Sequence, residues 1–345
     1  MSNSTRLNAL FGAAMMFGAA SSTATATEPE KANVSLAVGS MIMNYMPVGL
    51  AESRGEFKKE GLTVTVQNFA SGGTKALQAL IGGSVDVTVG AYDHTIQMQT
   101  KGKEIVCVAQ LNTRPGFSIG VRASLAEKVN SGRDLKGLRI GITAPGSSAD
   151  MTVRYYLRRN GLKPADAQIV AVGSGPPGMV ALENGNVDAL IYWDPIATIL
   201  QQKKAVKVLL DARTPEGAES AIGGKISPFA CLYATRAFIE ANPETTQRLV
   251  DAFIRTLRFI QQAPAAEIVH SLPDAWKLPG QHDLNVQIME ASRSLFSADG
   301  FTDPESTRIP LAILSGYSDE IENFKIDLSK TYTNHFAEEA ARRLK

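Results

Sequence analysis

The strongest constraint on the fold is an alternation of short apolar runs with helix-like runs, which occurs twice along the chain. The first series spans residues 34–111 and the second spans residues 138–210. Apolar runs of four to eight residues between turns are typical of buried strands. Strands separated by single helices form parallel sheets with helices on both faces. The sequence therefore predicts two α/β units of similar design.

Two extended segments interrupt this alternation, one at Phe117–Val121 and one at Phe229–Ala234. They suggest that the chain crosses from the first unit to the second and later returns. We therefore predict a first lobe of residues 31–117 plus 230–345 and a second lobe of residues 118–229, joined by a hinge. Open α/β sheets bind ligands beyond the carboxyl ends of their strands, so a cleft between the lobes is the expected site.

Some local elements are less regular. We predict one helix over Pro47–Lys59, which Gly61 closes, and a helix over Tyr92–Thr100. The stretch Thr214–Pro228 is predicted to be a loop. After the second crossing the chain is expected to be nearly all helical.

Composition narrows the class of partner. The 345 residues are 44% hydrophobic and 20% charged, enough for sizeable cores in two domains. Lys and Arg number 35 against 34 Asp and Glu, for a formal charge of +1. No basic excess favours nucleic acid or an anionic membrane surface. A small molecule is the expected ligand, and we predict no nucleic-acid partner.

Residues 1–26 resemble a secretory signal peptide. Arg6 is the only charge, Leu7–Ala20 is apolar and small, and Ala24-Thr-Ala26 fits a small-x-small cleavage pattern. An uncleaved tail is the alternative, since one basic residue is few for such a signal. No later apolar run reaches the roughly 20 residues that span a bilayer. The predicted location is the periplasm.

The two cysteines, Cys107 and Cys231, both lie in apolar, strand-like runs. Free cysteine in such runs is most often a small buried hydrophobe, although a disulfide is possible in an oxidising compartment. With four scattered histidines and no further cysteine, the spacing of a metal site is absent. We expect no metal, no cofactor and no catalytic residue.

Two turns rich in glycine and serine each join a strand to a helix, at Phe69–Thr74 and Gly141–Ser148. Such turns leave backbone N–H groups uncovered at a helix start, where the helix dipole favours an anion. The alternative is ordinary helix capping. The ligand-binding residues predicted from these turns are Ser71, Gly72, Gly73, Gly146, Ser147 and Ser148.

Further candidates follow other predicted strand ends. Methionine and aromatic side chains there suit an adaptable wall for an organic ligand, although each is also a common core residue. His94 beside Asp93 suggests catalysis, but no nucleophile motif accompanies it, so recognition is preferred. These candidates are Met41, Asn44, Tyr45, Tyr92, His94, Ser174 and Trp193.

Two charged residues complete the predicted site. Arg114, just before the first crossing, is a candidate for bidentate contact with a carboxylate or sulfonate, and a hinge salt bridge is the alternative. Asp194 would repel an anion in the cleft. Three alternatives follow for Asp194. It pairs with Arg114, it caps the helix at Pro195, or the ligand is cationic or zwitterionic.

Several motifs resemble those of one transport family. They are Ala51-Glu-Ser-Arg-Gly-Glu-Phe-Lys-Lys-Glu-Gly-Leu62, Gly82-Gly-Ser-Val-Asp-Val87, Ala144-Pro-Gly-Ser-Ser148 and Asn242-Pro-Glu244. Together they resemble the nitrate/sulfonate/taurine family of ABC-importer solute-binding proteins. The resemblance implies a type II periplasmic binding fold, two α/β lobes joined by a two-strand hinge, which closes on its ligand and delivers it to the transmembrane subunits of an ABC permease.

The same resemblance implies that the strand after the return crossing inserts antiparallel beside the strand Glu104–Leu111. Cys107 and Cys231 would then lie on neighbouring strands, where a disulfide is possible. We expect a monomeric binding protein rather than an enzyme, with an organic anion larger than nitrate, plausibly aromatic, as ligand. The alternatives are an enzyme resembling thiamin-pyrimidine synthases and a periplasmic ligand sensor.

Overall fold

The computed structural model describes residue 1 and residues 28–69 and 72–345, so the predicted signal peptide lies outside the described residues apart from Met1. Its strands are β1 (Asn33–Val38), β2 (Thr63–Asn68), β3 (Val87–Ala91), β4 (Ile105–Gln110), β5 (Ser118–Arg122), β6 (Arg139–Ile142), β7 (Gln168–Ala171), β8 (Ala189–Tyr192), β9 (Val206–Asp211) and β10 (Ala230–Thr235).

Its α-helices are α1 (Met46–Ser53), α2 (Glu56–Lys59), α3 (Gly73–Ile81), α4 (Asp93–Gln97), α5 (Ser148–Arg159), α6 (Pro176–Glu183), α7 (Ile196–Gln202), α8 (Pro215–Ile222), α9 (Arg236–Ala241), α10 (Pro243–Gln262), α11 (Ala265–Ser271), α12 (His282–Ser292), α13 (Arg308–Ser315), α14 (Asp319–Asn323) and α15 (His335–Arg343). Short 3₁₀ turns extend several of them.

The strands form two five-stranded sheets with the same connectivity. The first has the order β2-β1-β3-β10-β4 and the second the order β7-β6-β8-β5-β9. In each sheet the fourth strand is antiparallel to both of its neighbours. That strand directly follows a crossing from the other sheet, β5 after the first crossing and β10 after the return. The predicted class of two α/β lobes with a two-strand hinge is confirmed.

The antiparallel strands fit because a glycine lies under a tyrosine in each sheet. A Cβ on Gly90 of β3 would come within 2.5 Å of the Tyr233 hydroxyl on β10. A Cβ on Gly120 of β5 would come within 2.4 Å of the Tyr192 hydroxyl on β8. Both tyrosines are buried, so any larger residue at either glycine would displace a ring from a closely packed core.

Two local predictions are wrong. The predicted loop Thr214–Pro228 contains α8, whose first turn is capped because the Thr214 hydroxyl accepts a hydrogen bond from Gly217 N at 3.0 Å. Pro215 at the first helical position and Gly223 with φ of 87° mark its ends, a pattern present in the sequence. The predicted helix over Pro47–Lys59 breaks into α1 and α2 because Gly55 adopts a left-handed φ of 66°.

The cysteines lie on neighbouring strands, as the family resemblance implies, but both are free and buried. The register pairs Cys231 with Gln110 and Tyr233 with Cys107, and it shifts between Leu232 and Tyr233. The two residues are thus offset along the strands rather than directly opposite each other, although their side chains approach closely enough to share a hydrogen bond. The disulfide considered from the sequence is not formed in this structure.

Among residues 28–69 and 72–345, no helix is both long and apolar enough to cross a membrane. The longest, α10, has 20 residues and carries charged side chains among its buried apolar ones. Its Phe253 packs edge-on against Phe57 of α2, with ring centroids 5.5 Å apart. This helix therefore belongs to the core of the first sheet's lobe.

A buried carboxylate on α10 yields a stability prediction. Burial, together with the charge of Glu60, raises the pKa of Asp251 to about 6. Because the pKa of Asp251 is higher in the folded protein than in the unfolded chain, protonation of this side chain stabilises the fold. That stabilisation is complete below the unfolded-state pKa and is lost as the pH rises through about 6. We expect Asp251→Asn to raise the free energy of unfolding at pH 7.5. This increase in the free energy of unfolding at pH 7.5 should exceed the change at pH 4.5 by about 1 kcal/mol. The difference allows for the weakened contact with Arg343.

Urea unfolding at the two pH values measures this difference. Asp274→Asn is the matched control, because the Asp274 side chain is fully exposed and its replacement should have no pH-dependent effect. If Asp251→Asn raised the free energy of unfolding equally at both pH values, the raised pKa of Asp251 would be contradicted.

Candidate functional site

The carboxyl ends of the parallel strands in both sheets face one interlobe cleft. In the first sheet, Ser40 follows β1 and His94 follows β3. In the second sheet, Thr143 follows β6, Ser174 follows β7 and Trp193 follows β8. All five line the same small cavity, of about 40 Å³, which we call the polar cavity. This is where open α/β sheets place ligands.

Two helices begin at the polar cavity, one from each lobe. Gly72 and Gly73 start α3, and Ser147 and Ser148 start α5. The Ser147 hydroxyl caps α5 by accepting a hydrogen bond from Asp150 N at 3.3 Å. Uncovered amides at helix starts are suited to a partner with negative charge or lone pairs. Neutral donors from both lobes therefore converge on one point.

A glycine sets the position of α3. A Cβ on Gly39, directly after β1, would approach the Gly73 Cα to 2.5 Å. Backbone atoms cannot yield at that distance, so only glycine at position 39 lets α3 begin against the end of β1. The close approach brings the Gly73 Cα within reach of His94, since a Cβ there would contact its ring at 3.1 Å.

A second space, the apolar cavity, adjoins the polar cavity and has a volume of about 730 Å³. The two share Ser40, Ile42, Thr143, Ser174 and Trp193 as lining residues, so the cavities lie side by side. Apolar side chains from four segments form much of its wall, and they include Met41, Met179, Ile196, Ile199, Leu278 and Leu284. The volume falls within the range of small-molecule sites, roughly 300 to 1,000 Å³.

Direct hydrogen bonds hold the lobes together around the site. The Ser148 hydroxyl donates to Asp93 Oδ2 across the cleft at 2.7 Å. The Trp193 indole N–H donates to the Pro115 carbonyl at 2.7 Å. Met43 N donates to the Asp194 carbonyl at 3.1 Å. The structure therefore describes a closed arrangement of the two lobes.

His94 is buried at the polar cavity and shares a hydrogen bond between its Nδ1 and the Tyr233 hydroxyl at 3.0 Å. Its Nε2 lies 4.0 Å from Asp93 Oδ1. Burial lowers the pKa of His94, and the nearby Asp93 charge only partly opposes this effect. A neutral imidazole is therefore expected at pH 7, able to donate or accept one hydrogen bond but adding no positive charge.

Most of the residues predicted from the sequence line one or both of these cavities. Those that do are Met41, Tyr45, Gly72, Gly73, His94, Ser147, Ser148, Ser174 and Trp193. Ser71 lies outside the described residues. The structure also brings Ser40, Ile42, Thr143 and Phe229 to the polar cavity, although the sequence did not single them out. Position directly after a strand was a usable signal for Ser40 and Thr143.

Three predicted residues point elsewhere. The Asn44 amide donates to Asn112 Oδ1 at 3.0 Å and to the Pro115 carbonyl at 3.1 Å, so it supports the crossing segment. Tyr92 is fully buried, and its hydroxyl shares a hydrogen bond with Thr331 Oγ1. Gly146 N donates to Asp150 Oδ2 at 3.0 Å. Each is adjacent in sequence to a residue that does line a cavity. The side-chain direction decided the outcome for Asn44 and Tyr92, and the direction of the backbone N–H decided it for Gly146.

The two predicted charged residues also have structural partners. Arg114 Nη2 donates to the Ser294 carbonyl at 2.7 Å and to its hydroxyl at 3.0 Å, away from the cavities. Asp194 is buried, accepts hydrogen bonds from Thr198 N, and pairs with Arg213 Nη1 at 3.0 Å. Asp194 thus acts within the start of α7, as one of the three alternatives proposed, and its cation is Arg213 rather than Arg114.

The described residues offer no cluster of metal ligands. Residues 28–69 and 72–345 hold no group of three His, Cys, Asp or Glu side chains that could bind a metal ion. The polar cavity offers hydroxyls, amides and one neutral imidazole. These groups can donate hydrogen bonds to a ligand or accept them from one.

Comparisons with known proteins agree with this geometry. A solved structure from Bordetella bronchiseptica RB50 is 35% identical, with a TM-score of 0.85, and the match covers 92% of this chain and 99% of that one. The alkanesulfonate-binding protein SsuA from Xanthomonas axonopodis pv. citri, bound to MOPS, has a TM-score of 0.70 at 17% identity, covering 88% of this chain and 98% of that one. The second likeness shows the fold alone.

Among curated proteins, a 4-amino-5-hydroxymethyl-2-methylpyrimidine phosphate synthase from Aspergillus parasiticus is 24% identical over 302 residues, or 85% of this chain and 83% of that protein. Other curated relatives, named only as binding proteins, are matched over 66% or 58% of their own length. The model of the NMT1-like family matches residues 27–272. The fold is also that of the periplasmic nitrate-binding protein NrtA from Synechocystis PCC 6803, with a TM-score of 0.71 at 17% identity, covering 92% of this chain and 90% of that one. The chain therefore belongs to the NMT1-like family.

Proposed function

We propose that this protein is the periplasmic solute-binding component of an ABC importer, which captures a small organic molecule by lobe closure and delivers it to the permease. The observation that carries the proposal is the pair of adjoining cavities lined by residues of both lobes. One cavity has neutral donors at two helix starts, and the other is a large apolar chamber. A cleft of this kind binds a ligand that has a polar head and an apolar body.

The proposed motion follows from the topology. We propose lobes of residues 31–117 plus 230–345 and of residues 118–229, with the bend at the two crossings. Bonds such as Ser148 to Asp93 would break on opening, and a ligand that contacts both helix starts would favour closure. A monomer suffices, because one chain supplies both walls of the cleft.

The size of the apolar cavity supports an organic ligand rather than an ion as small as nitrate. Two features of the sequence predict an anionic ligand, the helix starts and Arg114. Because the Arg114 guanidinium is bonded to Ser294, only the helix starts still support an acid group. A helix start contributes typically 0.3 to 1 kcal/mol toward an anion, so this support is modest.

An enzyme on the same scaffold is the second candidate. The observation that favours it is the similarity to a pyrimidine phosphate synthase together with the buried His94 near Asp93. Turnover distinguishes the candidates. A binding protein returns its ligand unchanged after hours of incubation at stoichiometric concentration, whereas an enzyme releases a product that mass spectrometry detects.

A ligand screen tests the binding proposal. We expect one chemical class among sulfonates, aromatic carboxylates, amines and pyrimidines to stabilise the protein, by about 2.7 kcal/mol at 100 times the dissociation constant. Trp193 stacks near Phe229, with ring centroids 5.9 Å apart, so binding should also change its fluorescence. Trp276→Phe leaves Trp193 as the only tryptophan and assigns the signal.

The matched control is Ser174→Leu, which fills the junction of the two cavities. It should abolish the stabilisation while leaving the ligand-free protein folded. Stabilisation that persists in Ser174→Leu, without a change in Trp193 fluorescence, would place the ligand outside the cleft.

The role of Arg114 gives a separate prediction. Arg114→Met removes two hydrogen bonds from a buried guanidinium, so we expect the free energy of unfolding to fall by about 1 to 2 kcal/mol. The dissociation constant of any compound found in the screen should change less than threefold. Arg158→Met, at an exposed position of α5, is the control and should change neither quantity. A tenfold loss of affinity without a loss of stability would instead make Arg114 a ligand contact.

A further inference from the structure

An unpartnered carboxylate oxygen lies where the lobes meet. Asp93 Oδ2 accepts the hydrogen bond from Ser148, but Asp93 Oδ1 is buried without a hydrogen-bond partner. Among the side-chain atoms of the described residues that share this condition, it is the only carboxylate oxygen. A buried carboxylate oxygen without a hydrogen-bond partner is costly, so a donor that completes it would stabilise this part of the cleft.

The position of Asp93 ties it to the ligand space. Its Oδ1 lies 4.0 Å from Nε2 of His94, which lines the polar cavity. Asp93 also lines a neighbouring cavity of about 30 Å³, which shares Ser148 and Phe229 with the polar cavity. The carboxylate therefore lies beside the polar cavity rather than in the interior of one lobe.

No cation offsets this charge nearby. Of the described residues that line the polar cavity and its 30 Å³ neighbour, none is Lys or Arg. His94 is held neutral by burial, which lowers its pKa. The Asp93 charge also raises the pKa of the Tyr45 hydroxyl, which lines the polar cavity, although burial is the larger cause. The polar cavity and its neighbour therefore present one carboxylate and no cation to a ligand, while Lys203, which lines the apolar cavity, is paired with Glu183.

The sizes of two electrostatic effects, repulsion by Asp93 and attraction by the helix starts, indicate which charge the ligand's head group should carry. Two like charges about 5 Å apart near a protein surface disfavour binding on the order of a hundredfold. The two helix starts together favour an anion by roughly tenfold. A ligand whose polar head is only an anion would therefore bind poorly, and it would leave Asp93 Oδ1 unpaired.

We infer that the ligand carries an N–H-donating nitrogen at its polar head, as an amine, an amidine or an amino-substituted heteroaromatic ring, which donates to Asp93. The inference rests on the proposed function and specifies the ligand class for the same cleft. An acid group on the same molecule is compatible when it lies at the helix starts and the nitrogen lies at Asp93. Asp93 is then the residue that selects against simple anions.

Matched probe pairs that differ only in an amino group test this inference. Suitable pairs are ethanesulfonate with 2-aminoethanesulfonate, benzenesulfonate with 3-aminobenzenesulfonate, and pyrimidine with 4-aminopyrimidine. Calorimetry with the wild-type protein should show the amino member of at least one pair binding ten times more tightly or better. In Asp93→Asn, which is isosteric and still accepts from Ser148, that preference should disappear and the affinity for the simple anions should rise.

Ser148→Ala is the control variant, because it removes the bond across the cleft but leaves the Asp93 charge in place. It should retain the preference for amino members. Simple anions that bind the wild-type protein as tightly as their amino partners, with no change in Asp93→Asn, would overturn the inference and leave the proposed function intact. A failure of every probe and every compound of the wider screen to bind would overturn the proposed function, and the inference with it.

Discussion

The structure depends on one constraint, that each sheet is completed by a strand which has just crossed from the other lobe. β5 and β10 are antiparallel insertions that pair on both sides with strands of the sheet they enter. The lobes are therefore joined by chain that is anchored in both cores. Gly90 and Gly120 let these strands pack against buried tyrosines. The proposed motion between the lobes would be confined to the short segments between anchored strands.

The same arrangement creates the site. With both inserted strands in place, the parallel strands of the two sheets present their carboxyl ends to a common cleft, and α3 and α5 begin there. Because backbone amides supply much of the polarity, the sequence requirement falls on small residues that leave those amides uncovered. Gly39, Gly72 and Gly73 meet it in the first lobe, and Ser147 and Ser148 meet it in the second.

The buried ion pairs near the cleft are distinct from the groups that line the cavities. The strongest buried ion pairs near the cleft, such as Arg213 with Asp194, are internal to one lobe. They position the start of α7 and do not contact the cavities. The polar cavity itself has neutral donors on its walls and one carboxylate beside it. A protein built in this way discriminates among ligands by where a small number of donors and acceptors lie, rather than by its net charge of +1.

Local pattern predicted the elements and the lobes of the fold because strand and helix periodicities are local properties. It failed at α8, where the terminal signals at Thr214, Pro215 and Gly223 were present but outweighed by a loop-like composition. It also failed at Gly55, because whether a glycine breaks a helix depends on the packing around it. Most of the turn residues predicted at strand ends line the cavities, Gly146 being an exception, since parallel strands bring those ends together in every sheet of this class.

The sequence by itself determined the two sheets, the crossings and the glycine and serine turns, because each follows from the local order of apolar, small and extended residues. Only the tertiary structure decided which neighbours face the cleft. Met41 and Asn44 lie three residues apart, yet one lines the apolar cavity and the other supports the crossing. Likewise, the partners of Arg114 and Asp194 are Ser294 and Arg213, far away in sequence. Side-chain direction and long-range pairing are set by packing in three dimensions, which no local pattern encodes.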